Sequence, residues 1–193
     1  MRSFFHGVVT ATPFFIYLGD LIMRKNTKFL THAAIIAALY AVMTHLQNLV
    51  LPGSASWAIQ MRLSEALTAL AFYTPAAIPG LALGCLVFNI TYAAALPLDF
   101  LVGSLATLLA AQCMWWSRRW RIKDLPLLGF LMPALFNGLL VGWELTTYIG
   151  DASFSVNAVT VALGELAVVL SLGAALDCAI RDRGLDKRLF GQT

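Results

Sequence analysis

Long apolar segments alternate with short groups of polar, proline and glycine residues along most of this chain. A helix needs about 20 apolar residues to cross a bilayer, and the first segment of that length covers Phe29 to Leu51. Five more segments follow, at about Arg62–Tyr73, from the turn at Pro75 and Pro79 to about Tyr92, at about Asp99–Trp116, at about Leu125–Ile149 and at about Phe154–Ile180. The pattern therefore predicts an all-α integral membrane protein with six transmembrane helices.

The second segment is too short to cross a bilayer unless tilt or the preceding loop supplies the missing length. It follows a turn at Pro52 and Gly53 and the loop Ser56–Met61, which we expect to be re-entrant or extended. Trp57 in this loop is typical of an anchor at the outer membrane interface.

The first 22 residues do not fit this pattern. The apolar run Val8–Ile22 is interrupted by Pro13, Gly19 and Asp20, so it makes a poor spanning helix, and the basic residues typical of a cytoplasmic start come only after Met23. We expect translation to start at Met23, with 1–22 an extension, 23–181 the membrane domain and 182–193 a cytoplasmic tail. A signal peptide is the alternative, but no small-residue cleavage site follows the segment. The intact mass of protein expressed from its native upstream region distinguishes these readings.

The composition excludes a soluble domain. Of the 193 residues, 60% are hydrophobic and only 12% are charged, and the mean hydropathy is +0.78. Six spans use most of this length, so no room remains for a separate catalytic or nucleotide-binding domain. The sequence has no GxSxG, HExxH or P-loop motif. We therefore do not expect an enzyme or a cofactor of its own, and any ATP-driven work would require ATP bound by partner subunits.

Metal binding is not predicted either. All three histidines precede the second segment, and neither His32 nor His45 has a second ligand one helical turn away. The cysteines lie far apart within apolar segments, as buried structural cysteines do: they are Cys85, Cys113 and Cys178.

Positive residues form three clusters that determine the predicted topology. The net charge is +3, and, counted from Met23 onwards, eleven of the 13 Lys and Arg residues lie before the first span, between the fourth and fifth, or after the sixth. With six spans, all three clusters fall on one side, which the positive-inside rule makes the cytoplasm. Both termini are therefore expected to be cytoplasmic, and nucleic-acid binding is not expected because the positive charge is explained by topology.

Several charged and amide side chains lie inside the apolar segments, where an ionised group costs roughly 3 kcal/mol unless it is buried and paired. The topology places them at roughly one depth, in the outer half of the membrane or, for Glu144 and Glu165, as deep as its middle. They lie on five different segments and are Arg62, Glu65, Asn89, Asp99, Glu144 and Glu165. Asn137 shares a helix face with Glu144. We expect a cavity open to the outside that binds a small ligand with hydrogen-bond donors or a positive charge. In the simpler alternative, Arg62 pairs with Glu65 three residues on and Asp99 caps a helix.

A strip of small residues runs along the first segment. Ala33, Ala37 and Ala41 recur at every fourth position, with Ala34 and Ala38 beside them. Such strips let another helix approach closely in a membrane. From the spacing alone, that helix could belong to this chain or to a partner.

Four blocks of this sequence resemble the queuosine-precursor transporter family of QueT type. They are Arg62-Leu63-Ser64-Glu65-Ala66-Leu67, Gly84-Cys85-Leu86-Val87-Phe88-Asn89, Leu98 to Leu108 and Gly164-Glu165-Leu166. The resemblance covers about Met23 to Ile180. It implies a six-helix substrate-binding S component of an energy-coupling factor (ECF) transporter in the plasma membrane of a prokaryote. Its partners would be a transmembrane coupling protein and two ATPases, and Ala33, Ala37 and Ala41 would contact the coupling protein.

The resemblance also implies a 7-deazaguanine ligand, such as 7-aminomethyl-7-deazaguanine or queuine. Glu65, Glu144 and Glu165 are the leading ligand carboxylates, because a carboxylate can accept two hydrogen bonds from the base. We also predict contacts from Asp99 and Arg62, and from the side-chain amide of Asn89 or Asn137. An aromatic ring would stack on the base, from Tyr92, Trp57, Phe88 or Trp143. The main alternative is a stand-alone proton-coupled carrier in which the carboxylates relay protons; a membrane enzyme is more remote, for lack of a nucleophile and base.

Overall fold

A computed structural model describes residues 27–54, 61–92, 95–150 and 152–191. These residues form the α-helices α1 (Thr27–Val50), α2 (Ala77–Thr91), α3 (Asp99–Ser117), α4 (Leu127–Tyr148), α5 (Phe154–Asp182) and α6 (Leu185–Phe190), and a 3-10 helix at Leu63–Phe72 between α1 and α2. The described part of the chain has no β-strand, and only one isolated bridge, between Ile122 and Leu125. The predicted all-α fold is confirmed, and the sequence-derived bounds of the long helices are correct to within about two residues.

Four helices are long and apolar enough to cross a membrane: α1, α3, α4 and α5. The 3-10 helix and α2 are shorter, with ten and 15 residues. The protein is therefore a multi-pass membrane protein. Six crossings and cytoplasmic termini stay predictions, and the predictions for residues 1–22, Met23 and Trp57 lie outside the described residues.

The second predicted span is a 3-10 helix rather than an α-helix. A 3-10 helix rises about 2.0 Å per residue, against 1.5 Å in an α-helix, so ten residues cover about 20 Å. Its residues are buried on most sides, since Glu65, Ala69 and Ala71 have at most 1% of their surface exposed. This segment is therefore a central element that the other helices surround.

The π-helical segment of α5, Val169–Gly173, packs beside the 3-10 helix. At Gly173 an added Cβ would come within 3.7 Å of the Ala66 carbonyl oxygen, which is ordinary contact. The two irregular helical segments of the fold thus lie against each other, in the part of α5 that follows Glu165.

The strip of small residues on α1 packs against α2 of the same chain. A Cβ added to Gly84 would lie 2.7 Å from the Ala37 carbonyl oxygen, and one added to Gly80 would lie 2.8 Å from that of Ala33. Ala33 and Ala41 are buried and Ala37 is partly buried. This is the internal packing that the spacing also allowed, and contact with a coupling protein stays a prediction.

The basic segments meet at one end of the bundle. Arg121, in the loop between α3 and α4, pairs with Asp177 near the end of α5 at 3.1 Å. The His32 ring near the start of α1 contacts the ring of Phe190 in α6, with centroids 5.6 Å apart. Because α3 has 19 residues and spans about 28 Å, Asp99 at its start lies far from this basic end.

Candidate functional site

Arg62 is the centre of a buried polar cluster at the end of the bundle opposite to the basic segments. It precedes the 3-10 helix and is only 3% exposed. Its Nη2 atom lies 3.5 Å from Asp99 Oδ2 and 3.4 Å from Asn89 Oδ1, and its Nη1 lies 3.4 Å from Cys85 Sγ. The guanidinium also lies 5.6 Å from the centroid of the Phe88 ring. Arg62 therefore joins the 3-10 helix to α2 and α3.

Glu65 lies one 3-10 turn after Arg62, so both side chains lie on one side of the helix. Its Oε1 accepts a short hydrogen bond from the Tyr40 hydroxyl of α1. Its Oε2 is buried and has no hydrogen-bond partner among the described residues. One carboxylate oxygen is thus held in place, and the other remains available to a ligand.

Glu144 of α4 and Glu165 of α5 complete the group. Both are fully buried, with at most 1% of their surface exposed. The Glu165 carboxylate lies within electrostatic range of Glu65 and Arg62, and the Glu144 carboxylate within range of Asp99 and Arg62. The structure therefore brings all three predicted ligand carboxylates around the one arginine.

Buried polar atoms without a partner are concentrated in this cluster. A buried polar group that forms no hydrogen bond costs about 1–3 kcal/mol, so native proteins contain few of them. Of the seven such side-chain atoms in the described ranges, six belong to predicted site residues. The seventh, Arg181 Nε, forms no hydrogen bond but is ion-paired with Asp177 Oδ2 at 3.2 Å. The six are Glu65 Oε2, Asp99 Oδ1, Asn137 Nδ2, both oxygens of Glu144 and Glu165 Oε2. A ligand with several N–H donors would satisfy most of them.

Asp99 does not cap α3, as one sequence-based alternative proposed. The capping position is Leu98, which makes no side-chain capping bond, and Asp99 is the first residue of the helix. Its backbone carbonyl accepts a 2.8 Å hydrogen bond from Asn89 Nδ2. Gly103 provides the space, because a Cβ there would lie 2.9 Å from Asn89 Nδ2 and 3.2 Å from Asp99 Oδ1.

Two of the predicted aromatic residues lie beside the cluster. The Phe88 and Tyr92 rings stack with centroids 5.2 Å apart, and Phe88 also contacts His45. Phe88 is fully buried and Tyr92 is partly exposed. Tyr92 is thus the aromatic side chain here that a ligand reaches with the least rearrangement.

The structure does not bring Trp143 to the cluster. Trp143 is 50% exposed, and it continues a row of half-exposed leucines on the outside of α4, at Leu131, Leu135 and Leu139. Residues four apart on a helix share a face, and an exposed apolar face of a membrane helix meets lipid. Asn137, in contrast, is buried on the Glu144 side of α4.

A polar stripe on α1 completes the surroundings and was missed in the sequence. Tyr40, Thr44 and Gln47 are spaced by four and three residues, which is the helical spacing that indicates one face. Thr44 donates to Ser64 Oγ at 2.7 Å. Gln47 donates to the Met61 carbonyl and accepts from the Leu63 N–H at 2.8 Å. This stripe holds the start of the 3-10 helix, and hence Arg62 and Glu65, against α1.

Metal binding finds no support in the described residues, since no three His, Cys, Asp or Glu side chains there are placed to hold an ion. The cluster combines several carboxylate acceptors, amides and one arginine in a buried setting, which suits recognition of a small polar ligand.

The family model of the QueT transporter matches residues 30–182. Those residues include all but the first three residues of α1, the whole of α2 to α5 and every described residue of the cluster. No curated protein and no solved structure matches the chain. Because the family model covers most of the chain, this protein belongs to the QueT transporter family.

Proposed function

We propose that this protein is the substrate-binding S component of an ATP-driven ECF importer, and that it captures a queuosine precursor of the 7-deazaguanine class from outside the cell. The observation that supports the proposal most strongly is the group of buried carboxylate oxygens without partners on Glu65, Glu144 and Glu165. The family match supports transport, and the buried cluster supports a polar ligand.

The donor and acceptor pattern of the cluster fits a deazaguanine. The base presents ring N–H groups and an exocyclic amine next to a carbonyl. A carboxylate with both oxygens free, as in Glu144, can accept two of these hydrogen bonds. Asn137, whose Nδ2 is unpartnered, can donate to the carbonyl. Arg62 then serves mainly to hold the site together, because its guanidinium already contacts Asp99 and Asn89.

The charge balance favours a ligand with a positive charge. Four acidic side chains, Glu65, Asp99, Glu144 and Glu165, are gathered around the single arginine. Buried charges are tolerated when they are paired, so a cationic ligand would offset part of the excess negative charge of the cluster. An aminomethyl group on the deazaguanine supplies such a charge, and so does the secondary amine of queuine.

Ligand binding to the purified full-length protein tests the substrate class. We expect 7-aminomethyl-7-deazaguanine or queuine to bind. We expect 7-deazaguanine, which lacks the cationic side-chain amine at position 7, to bind at least tenfold more weakly because it cannot neutralise a carboxylate. If neither amine-bearing base binds while another vitamin does, the substrate assignment is wrong.

Neutral variants test the site. Glu144→Gln and Glu165→Gln keep the side-chain volume but replace one acceptor by a donor, so each should weaken binding by well over tenfold. Asp182→Asn is the matched control, because Asp182 is exposed at the end of α5, far from the cluster. Unchanged affinity in both glutamine variants would give these residues a structural role instead.

Uptake assays test the coupling to ATPases. We expect uptake to require the coupling protein and its two ATPases. Uptake that survives loss of the coupling protein but collapses with the proton gradient would instead identify a stand-alone proton-coupled carrier that uses the same carboxylates.

The surface of α1 that meets the coupling protein can be mapped by paired variants. Ala37→Trp would disturb the contact with Gly84 and reduce ligand binding and uptake together. Ala38 is exposed on the neighbouring face, so Ala38→Trp should spare ligand binding and abolish uptake if α1 docks there. Normal uptake with Ala38→Trp would exclude this face.

A further inference from the structure

An apolar groove opens between the end of α3 and the start of α4, at the basic end of the bundle. Its volume is about 290 Å³, and it is lined by Cys113, Trp116, Ser117, Trp120, Leu128 and Met132. Ser117 is the one lining residue with a hydroxyl, and that hydroxyl already donates to the Met114 carbonyl at 3.2 Å. The groove therefore offers an apolar occupant a mostly apolar surface.

Two tryptophans at the groove are unusually exposed. Trp116 and Trp120 each have 70% of their surface exposed, and neither indole N–H donates to a residue that the structure describes. Tryptophan is enriched at membrane interfaces, where its ring lies among acyl chains and its N–H finds a polar acceptor. The pair therefore indicates that the mouth of the groove lies at headgroup level.

The edge of the groove is basic. Arg119 directly precedes Trp120, and Lys123 follows in a tight turn closed by the hydrogen bonds between Ile122 and Leu125. Both cations are exposed and have no hydrogen bond or ion pair with a described residue. Asp124 is an acidic neighbour in the same turn, so the cationic groups here outnumber the acidic one.

The other two arginines of this loop have partners. Arg118 lies over the Trp115 ring at 3.7 Å and donates to the Trp115 carbonyl at 2.6 Å. Arg121 is bound to Asp177. Within this loop, Arg119 and Lys123 are therefore the positive charges left to bind an anion from outside the chain.

We propose that this groove binds an anionic phospholipid of the cytoplasmic leaflet, with an acyl chain between α3 and α4 and the phosphate at Arg119 and Lys123. The positive-inside rule places this basic end in the cytoplasm, where the leaflet carries anionic lipids that attract basic juxtamembrane segments. The site is separate from the ligand cluster, since α3 holds the two about 28 Å apart.

Lipid retention by the detergent-purified full-length protein tests the proposal. Native mass spectrometry would compare phosphatidylglycerol with phosphatidylcholine of the same acyl chains, and we expect phosphatidylglycerol to be retained preferentially. In the double variant Arg119→Gln/Lys123→Gln its apparent affinity should fall about twenty-five-fold, taking each charge as roughly fivefold. The control Lys187→Gln/Arg188→Gln removes the same charge from exposed positions of α6 and should retain lipid like the unmodified protein.

A second variant tests the groove without changing the charge. Cys113→Phe fills the groove and should also reduce retention, whereas Leu135→Phe on the lipid-facing row of α4 should not. Equal retention of the two lipids, or equal loss in the basic variant and its control, would overturn the proposal. It would also be overturned if Cys113→Phe kept phosphatidylglycerol but failed to assemble with the ATPase module, since the groove would then be a protein-docking surface.

Discussion

Arg62 and Asp99 form an ion pair between the start of the 3-10 helix and the start of α3, with Nη2 and Oδ2 3.5 Å apart and both side chains at most 5% exposed. The pair joins two segments that are 37 positions apart in the sequence. Removing one partner of a buried pair leaves an uncompensated charge, which typically destabilises a protein by about 3–5 kcal/mol.

We therefore expect Arg62→Gln and Asp99→Asn each to lower the thermal midpoint strongly, and the double variant to be clearly more stable than the sum of the two losses predicts. The double variant removes both charges at once, so neither is left unpaired. Thermal unfolding in detergent measures all three. Strictly additive losses would show that the two side chains do not interact energetically.

The Tyr40 hydroxyl fixes one oxygen of Glu65, so Tyr40→Phe should leave that carboxylate less well positioned. Loss of a hydrogen bond to a charged group is worth about 1.5–3 kcal/mol, and we expect ligand affinity to fall by at least tenfold while the protein still folds. Isothermal titration with the aminomethyl base measures this. Tyr148→Phe, on an exposed tyrosine of α4, is the control and should bind normally; equal affinities would show that Glu65 needs no help from Tyr40.

Much of the cluster was predictable because charge is conspicuous in an apolar chain. All three glutamates of the sequence lie in the predicted spans, and the cost of a charge in lipid requires such groups to be buried together. The same reasoning located Arg62, Asn89 and Asp99. It could not identify Asp99 as the ion-pair partner of Arg62 across the helices, because only the packing of α3 against the 3-10 helix brings them together.

Uncharged polar residues and hydrogen-bonding patterns were less predictable. Tyr40, Thr44 and Gln47 carry no charge and cost less in a membrane helix than an ionised group does, so their stripe is a weak signal until Ser64 and Glu65 are placed beside it. The 3-10 form of Leu63–Phe72 was not predicted either, since hydropathy reports burial and not which carbonyl each N–H reaches. The role of Asp177 was not predicted. Asp177 lies near the end of a span, and an acidic residue followed four positions later by a basic residue is typical of a water-exposed membrane interface.

The close contact of α1 with α2 makes Gly84 sensitive to any side chain. A Cβ at Gly84 would lie 2.7 Å from the Ala37 carbonyl oxygen and from the Tyr40 Cβ, so Gly84→Ala should separate the helices and destabilise the protein by about 1–3 kcal/mol. Because Tyr40 would shift, ligand affinity should fall as well. The matched control is Gly173→Ala, where the nearest atoms are 3.5 Å away or more. Equal thermal midpoints for the two variants would contradict this description of the α1–α2 contact.

Asp177 ties together three segments at the basic end, and we expect its loss to be among the most damaging single changes outside the ligand cluster. Its fully buried carboxylate accepts hydrogen bonds from the Tyr73 hydroxyl at 2.5 Å and from two Arg121 nitrogens at 3.1 and 3.3 Å, and it lies 3.2 Å from Arg181 Nε. Burial alone would lower the pKa of the Arg121 guanidinium, but the Asp177 carboxylate raises it above its usual value, so Arg121 remains charged and needs this partner.

Asp177→Asn should therefore destabilise the protein by about 3–5 kcal/mol, as measured by thermal unfolding in detergent. The control is Asp182→Asn, which changes an exposed acid five positions on and should change the thermal midpoint little. A small effect at Asp177 would mean that water replaces the carboxylate around Arg121 and that this end of the bundle does not depend on the network.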